Sequence, residues 1–225
     1  VPEELDHFLE EIFAECPLRI SVKTRVGVND AGEWEHLLSI YEKYPMEELI
    51  IHPRVQKDFY NNMPDMGAFL YAVENSRHTL CYNGDICSVQ DYKNWEERME
   101  EKNKEYGMAH YAQQEVQEDS ASCVSHIMLG RGVLKNPGLI GELTGHAPIT
   151  KDQFHVFHDD ILKGYLDVMS GERNTLFRMK ELWFYFAKYF TEPEKYVKQI
   201  KKTQHVAEYR VIVDNLFREQ EWKQK

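Results

Sequence analysis

Four short aliphatic runs punctuate the first 130 residues: 18–22 (LRISV), 49–51 (LII), 79–82 (TLCY) and 127–129 (IML). Each is too short for a globular helix and carries the residues of a strand buried on both faces, so each is expected in a parallel sheet. Between them lie stretches of helical periodicity, 3–15, 33–44, 66–74 and from Ser88 into the charged run WEERMEEKNKEYG. A helix ahead of every strand restricts the chain to repeated α/β units. From about Thr150 the strand pattern stops. Phe154, Phe157, Ile161, Tyr165, Leu166 and Met169 recur at helical spacing, and helical patterns continue over 176–190 and 205–222. The expected architecture is α/β: half of a (β/α)8 TIM barrel over residues 1–149, then an all-helical domain over 150–225.

Each run leads into polar residues. The first gives Lys23 and Arg25 (SVKTRVG), the second His52 and Arg54 (IIHPR), the third Asn83, Gly84 and Asp85 (YNGD), the fourth Gly130, Arg131 and Gly132 (LGRG). In a parallel barrel these ends converge on one face, where sites are built, and phosphate sites use the loops after the seventh and eighth strands. The order, cations first and glycine-rich turns last, makes these strands five to eight. It suits a flat, electron-rich cofactor with a phosphate tail. Lys23 would stabilise the anionic side of a reduced flavin ring while Gly84, Gly130 and Arg131 grip the phosphate. Asn136 is expected to cap a helix with Pro137 at its first position.

A net charge of −11 argues against a polyanionic partner, but its distribution does not. Residues 1–150 hold 13 Lys+Arg against 26 Asp+Glu, whereas 151–225 hold 14 against 12. A phosphate backbone is therefore expected on the tail. The four cysteines have no CxxC spacing, and no signal-like segment opens the sequence, which points to a reducing, cytoplasmic setting. The longest apolar stretch, LWFYFAKYF, falls far short of the roughly 20 residues of a membrane span.

The segments SVKTRVG, IIHPRVQKDFY, YNGDI and IMLGRGVLKNP resemble, in that order and at comparable spacing, the flavin-binding segments of the tRNA-dihydrouridine synthases. RMKELWFYF is similar to that family's C-terminal helical domain. The resemblance implies an FMN enzyme that uses NADPH to reduce the C5–C6 bond of particular uridines in tRNA. It places Lys23 on the flavin ring and His52 between flavin and uracil pocket. Asn83, Gly84 and Asp85 would line the ribityl-phosphate path, and Gly130 with Arg131 would hold the phosphate. Arg25 and Arg54 fall on the substrate side, and Arg178 and Lys180, with Lys188, face the tRNA backbone.

That family also has a flavin-cradling first strand and a proton-donating cysteine in the first half of its barrel, and neither motif is among these 225 residues. The general acid is unassigned. Closure of the barrel is expected from a missing N-terminal half or a second copy. The alternative function is a non-catalytic RNA-binding or scaffold half-barrel; a small-molecule FMN oxidoreductase is a third reading.

Other residues are expected to be structural. Cys16, ahead of the first strand, is read as a buried thiol. His155 and His158 are read as a partly buried surface pair rather than a metal site. Residues 183–186 (WFYF) are read as packing core, and the acidic insertion 91–122 as a solvated helix.

Overall fold

The computed structural model describes residues 2–59, 62–111 and 124–223. The chain divides into two compact units, Val1–Ile86 with Gln90–Gly130, and Cys87–Val89 with Arg131–Lys225.

In the first unit, four strands, β1 (Ser21–Gly27), β2 (Glu48–Val55), β3 (Leu80–Tyr82) and β4 (Val124–Ile127), form a parallel sheet in the order β1-β2-β3-β4. The helix α1 (Pro2–Glu15) precedes β1, and α2 (Trp34–Tyr41), α3 (Met66–Asn75) and α4 (Val89–Tyr111) make the crossovers. Parallel strands need such crossovers, and local chemistry starts them. Asp30 and Glu33 form a capping box ahead of α2, with Gly32 N donating to Asp30 Oδ1 at 2.7 Å and Asp30 N to Glu33 Oε1 at 2.9 Å. Asp65 caps α3 by accepting from Ala68 N.

One face of the sheet is covered by these helices. Val26, Leu49, Ile51, Leu80 and Tyr82 pack with Leu9, Trp34, Leu38, Phe69 and Met99. The Trp34 indole donates to Ala68 O at 2.8 Å, tying α2 to α3. The charged helix α4 is not wholly solvated as expected: Tyr92, Trp95 and Met99 anchor it to this core. The remainder of the expected insertion, 112–122, and Cys123 lie outside the described residues.

β1 and β2 extend beyond their aliphatic runs, whereas β3 lies within its run and β4 ends at Ile127, where the run 127–129 was expected to begin it. β1 begins three residues after Leu18, which is exposed, and continues through Lys23 and Arg25; β2 continues through His52 and Arg54. Side chains alternate between faces. Val22 and Val26 turn to the helices, while the intervening Lys23 and Arg25 fall on the opposite face. Polar residues that read as strand termini are thus inside the strands. Within β2, Pro53 has no N–H to give. The ladder accommodates it with a bulge: Arg25 pairs with His52 and Gly27 with Val55, so β2 carries one extra residue there. Arg25 Nη1 donates to Val55 O at 2.9 Å across the irregularity.

The second unit has α5 (Arg131–Lys135), α6 (Leu139–Leu143), α7 (Lys151–Val168), α8 (Glu172–Phe186), α9 (Glu194–Lys202) and α10 (Val206–Glu219). Thr150 and Gln153 form a capping box at the start of α7. Asn136 does cap a turn, its Oδ1 accepting from Gly138 N at 3.0 Å, but the helix begins at Leu139 rather than Pro137. Phe154, Leu162, Leu176, Met179, Trp183, Phe186, Ile200, Val213 and Leu216 form the core.

Three expectations are corrected here. Phe184 is 69% exposed, because it lies opposite the buried stripe of Leu176, Met179, Trp183 and Phe186. His158 is no surface residue: at 1% exposure its Nε2 accepts from the Tyr209 hydroxyl (2.6 Å), which accepts from Trp183 Nε1 (2.8 Å), while Nδ1 donates to Asp159 (3.0 Å). Burial lowers its pKa against the opposing pull of Asp159. Cys16 is half-buried rather than buried.

The relay His158–Tyr209–Trp183 joins α7, α10 and α8. Tyr209→Phe strands the acceptor on His158 and the indole donor of Trp183, and an orphaned buried polar group costs about 1–3 kcal/mol. Urea unfolding followed by tryptophan fluorescence should show a loss of about 2 kcal/mol or more, whereas Tyr165→Phe should change stability little.

Candidate functional site

Opposite the helix-covered face, the sheet presents Lys23 and Arg25 from β1, Ile50, His52 and Arg54 from β2, and Cys81 from β3. Lys23 pairs with Ile50, Ile50 with Cys81, and Arg25 with His52, so two cross-strand rows are built side by side. Toward the strands' C-terminal ends the face becomes cationic, with Lys23, Arg25 and Arg54 set against Asp85, while Glu48 lies at the other end of β2 near Cys81.

Arg54 is the hub. It is 2% exposed, and each arm of its guanidinium is engaged. Nη2 donates to Asp85 Oδ2 at 2.6 Å, Nε to Asn62 O at 2.7 Å, and Nη1 to His52 Nε2 at 3.3 Å. Asp85 therefore fixes the turn after β3, and Asn62 fixes the loop after β2. Further bonds pin that loop: Lys57 N to Val28 O, Asp65 N to Pro53 O, and Asn62 Nδ2 to Asp58 Oδ1 at 2.6 Å. Between these anchors Phe59 adopts φ 51°, ψ −90°, a conformation that a bulky residue enters only at an energetic cost.

A guanidinium can only donate, so His52 Nε2 accepts and the ring proton sits on Nδ1. Burial is the largest cause that pushes the His52 pKa down to about 4; the Arg25, Lys23 and Arg54 cations add to it and Asp85 partly opposes. The imidazole is thus a neutral hydrogen-bonding group at pH 7, not a proton donor. Burial and Arg25 also lower the Lys23 pKa. The Cys81 thiol is pushed up to about 11, mainly by burial, so it is protonated and not nucleophilic at neutral pH.

The turn after β3 is held by backbone and side-chain bonds: Asn83 N to Ile51 O at 2.9 Å and Asn83 Nδ2 to Met128 O at 2.8 Å. The glycines divide. A Cβ at Gly84 would run into the Tyr82 ring, so packing alone demands glycine there. A Cβ at Gly130 would meet nothing within 4 Å. Protein packing does not account for that glycine, and the space suits a ligand approaching the backbone.

The structure brings Lys23, Arg25, His52, Arg54, Asn83, Gly84 and Asp85 together on the first unit, with Gly130 at the end of its fourth strand segment. Arg131, at the start of α5, and Arg178 and Lys180, on α8, belong to the second unit. There Arg178 pairs with Glu181 at 3.1 Å, and Lys180 donates to Thr203 O at 2.6 Å, bracing the turn before α10. Sequence reasoning missed Asn62, because it acts through a main-chain carbonyl that no residue pattern advertises. Among the described residues there is no cluster suited to a metal ion and no helix long and apolar enough to cross a membrane.

A parallel α/β sheet with cations and an open glycine at the carboxyl ends of its strands has the layout of a protein that binds a phosphorylated or otherwise anionic ligand there. Residues 1–102 match the dihydrouridine synthase (Dus) family model. No curated protein matches the chain.

The buried neutral His52 gives a pH signature. In the unfolded chain it takes a proton near its ordinary value of 6.5, whereas in the fold it resists until about 4. The unfolded state binds more protons across that window, so stability falls as pH drops from about 6.5 toward 4. His158 contributes with the same sign. An NMR titration should find the His52 ring neutral at pH 5.5, and His52→Gln should flatten the dependence of unfolding free energy on pH in that range.

Proposed function

We propose that this chain forms the C-terminal half of the catalytic barrel and the helical tail of an FMN-dependent, NADPH-using enzyme that reduces uridine to dihydrouridine in tRNA. The observation that carries the reading is the shared face of β1 and β2, inside the family-matched segment, where Lys23, His52 and the Arg54–Asp85 pair converge.

The residues fit the cofactor. Lys23 Nζ has no hydrogen-bond partner among the described residues and is expected to contact the ring's anionic side. Neutral His52, held by Arg54, orients ring and uracil. The turn Asn83–Gly84–Asp85 lines the ribityl path, and Gly130, open at its Cβ position, lets backbone amides approach the phosphate alongside Arg131. FMN, when bound, would supply the hydride for reduction of the C5–C6 bond, with NADPH as its reductant and a proton completing the addition. Arg25 and Arg54 shape the substrate side and hold negative charge near the strand ends. The proton that completes the reduction is assigned to no residue here: Cys81 is too buried to exchange readily, and Cys16 lies at the opposite end of β1.

In this reading residues 1–149 serve as the flavin-binding half-barrel and 150–225 as the RNA-docking helical domain, although the main stretch of the second compact unit begins earlier, at Arg131. Parallel sheets have both faces covered, and unpaired edges invite pairing. The Lys23–His52 face and the outer edges of β1 and β4 call for further strands, from an N-terminal barrel half or from a second copy. The thiols of Cys16 and Cys81 suit the cytoplasm, where tRNA is modified.

Titration with FMN, followed by quenching of its fluorescence, tests this with the chain alone and with the complementing half-barrel. Lys23→Ala should weaken binding about tenfold or more, the value of a charge-assisted hydrogen bond. Salt-sensitive tRNA binding without any flavin binding would favour the non-catalytic RNA-binding reading instead.

A further inference from the structure

The outer face of α8 carries two large aromatic side chains that the core does not use. Phe177 is 61% and Phe184 69% exposed, seven residues apart and hence on one stripe. Each has a cation beside its ring: the Arg178 guanidinium carbon lies 6.0 Å from the Phe177 centroid, and Lys188 Nζ lies 5.0 Å from that of Phe184. Arg173, also exposed, precedes Phe177 by one turn. One carboxylate lies among them: Glu181, about one turn from each ring on the same stripe, pairs with Arg178 at 3.1 Å, while Glu172 at the first turn accepts from Val206 N. The opposite face is fixed by the buried Trp183–Tyr209–His158 relay, so the stripe stands on a rigid support.

We infer that Phe177 and Phe184 form a base-stacking platform for unpaired nucleotides of an RNA, with Arg178 and Lys188 facing the neighbouring phosphates. This rests on the tRNA reading above and specifies how that substrate would be held. Charge complementarity selects the occupant. On this stripe Arg173, Arg178 and Lys188 outnumber Glu181, and the exposed Arg178–Glu181 pair is weak enough to be exchanged for a phosphate, so RNA offers phosphates to the cations and π faces to the rings. Spacing narrows it further. Seven residues at a rise of about 1.5 Å separate the rings by roughly 10 Å along the axis, against about 3.4 Å per stacked nucleotide step. The rings therefore serve two non-adjacent bases of a splayed strand, not two neighbours in a helical stack. Lys180, whose ammonium is given to Thr203 O, plays a bracing part rather than a phosphate contact.

The test uses the full chain, tRNA, and a single-stranded RNA bearing a fluorescent purine analogue. Phe177→Ala with Phe184→Ala should weaken binding about tenfold or more, abolish quenching of the analogue, and leave the salt slope unchanged. Arg178→Ala with Lys188→Ala should instead reduce the salt slope by about one to two. Both pairs are exposed, so unchanged far-UV circular dichroism confirms that the fold survives. Wild-type RNA affinity in the phenylalanine variant overturns the inference. So does a change from oligomer to monomer with RNA binding intact, which would make the stripe a self-association surface. Loss of quenching in a chain that binds no flavin would sink the enzymatic reading and leave the platform standing; silent phenylalanines in an active flavoenzyme would do the reverse.

Discussion

The site depends on one buried guanidinium. Removing an ion from water costs several kcal/mol, and that cost is met only when partners satisfy every donor. Arg54 finds them in Asp85, the carbonyl of Asn62 and the His52 ring. These partners lie on β2 itself, on the loop that follows it, and on the turn that follows β3. A single side chain therefore sets the mutual position of three segments and also dictates which nitrogen of His52 carries the proton. Without it, Asp85 loses its charge partner and the loop bearing Phe59 loses an anchor.

The same arrangement separates charge within an acidic half-chain. Residues 1–150 carry twice as many acids as bases, yet Lys23, Arg25 and Arg54 are collected at one end of one sheet face beside Asp85. Many of the acids, among them Glu3, Glu10, Glu35, Glu74, Glu96 and Glu100, lie on the exposed faces of helices, where water screens them. A low-dielectric sheet surface screens less, so a local cationic field persists despite the net charge of −11. In the second unit, the Trp183–Tyr209–His158 relay serves a comparable organising purpose, holding the inner side of α8 so that its outer side is presented in one orientation.

The parallel α/β organisation and the residues of the first-unit site were legible in the sequence, because short aliphatic runs separated by helical periods admit few other folds. The extent of the strands was not. Lys23, Arg25, His52 and Arg54 looked like strand ends because a buried parallel strand is expected to be apolar on both faces, and here one face is polar. The bulge at Pro53 was foreshadowed by the missing donor, but the Arg25 bond to Val55 O that bridges it was not. α9 escaped notice because four lysines mask the short buried stripe of Tyr196 and Ile200. Phe184 was misplaced because four consecutive aromatics (WFYF) suggest a core, although a helix turns only part of such a run inward. His158 was misread because its partner Tyr209 lies 51 residues away in sequence.

Hydrogen exchange of the chain, with its barrel complement, in the presence and absence of FMN tests the central claim most directly. Amides of 22–25, 51–55 and 82–86 should gain protection together when FMN is added, and that gain should vanish in Lys23→Ala. Protection confined to α9 and α10, or no change at the sheet under saturating FMN, would contradict the assignment of this face to the cofactor.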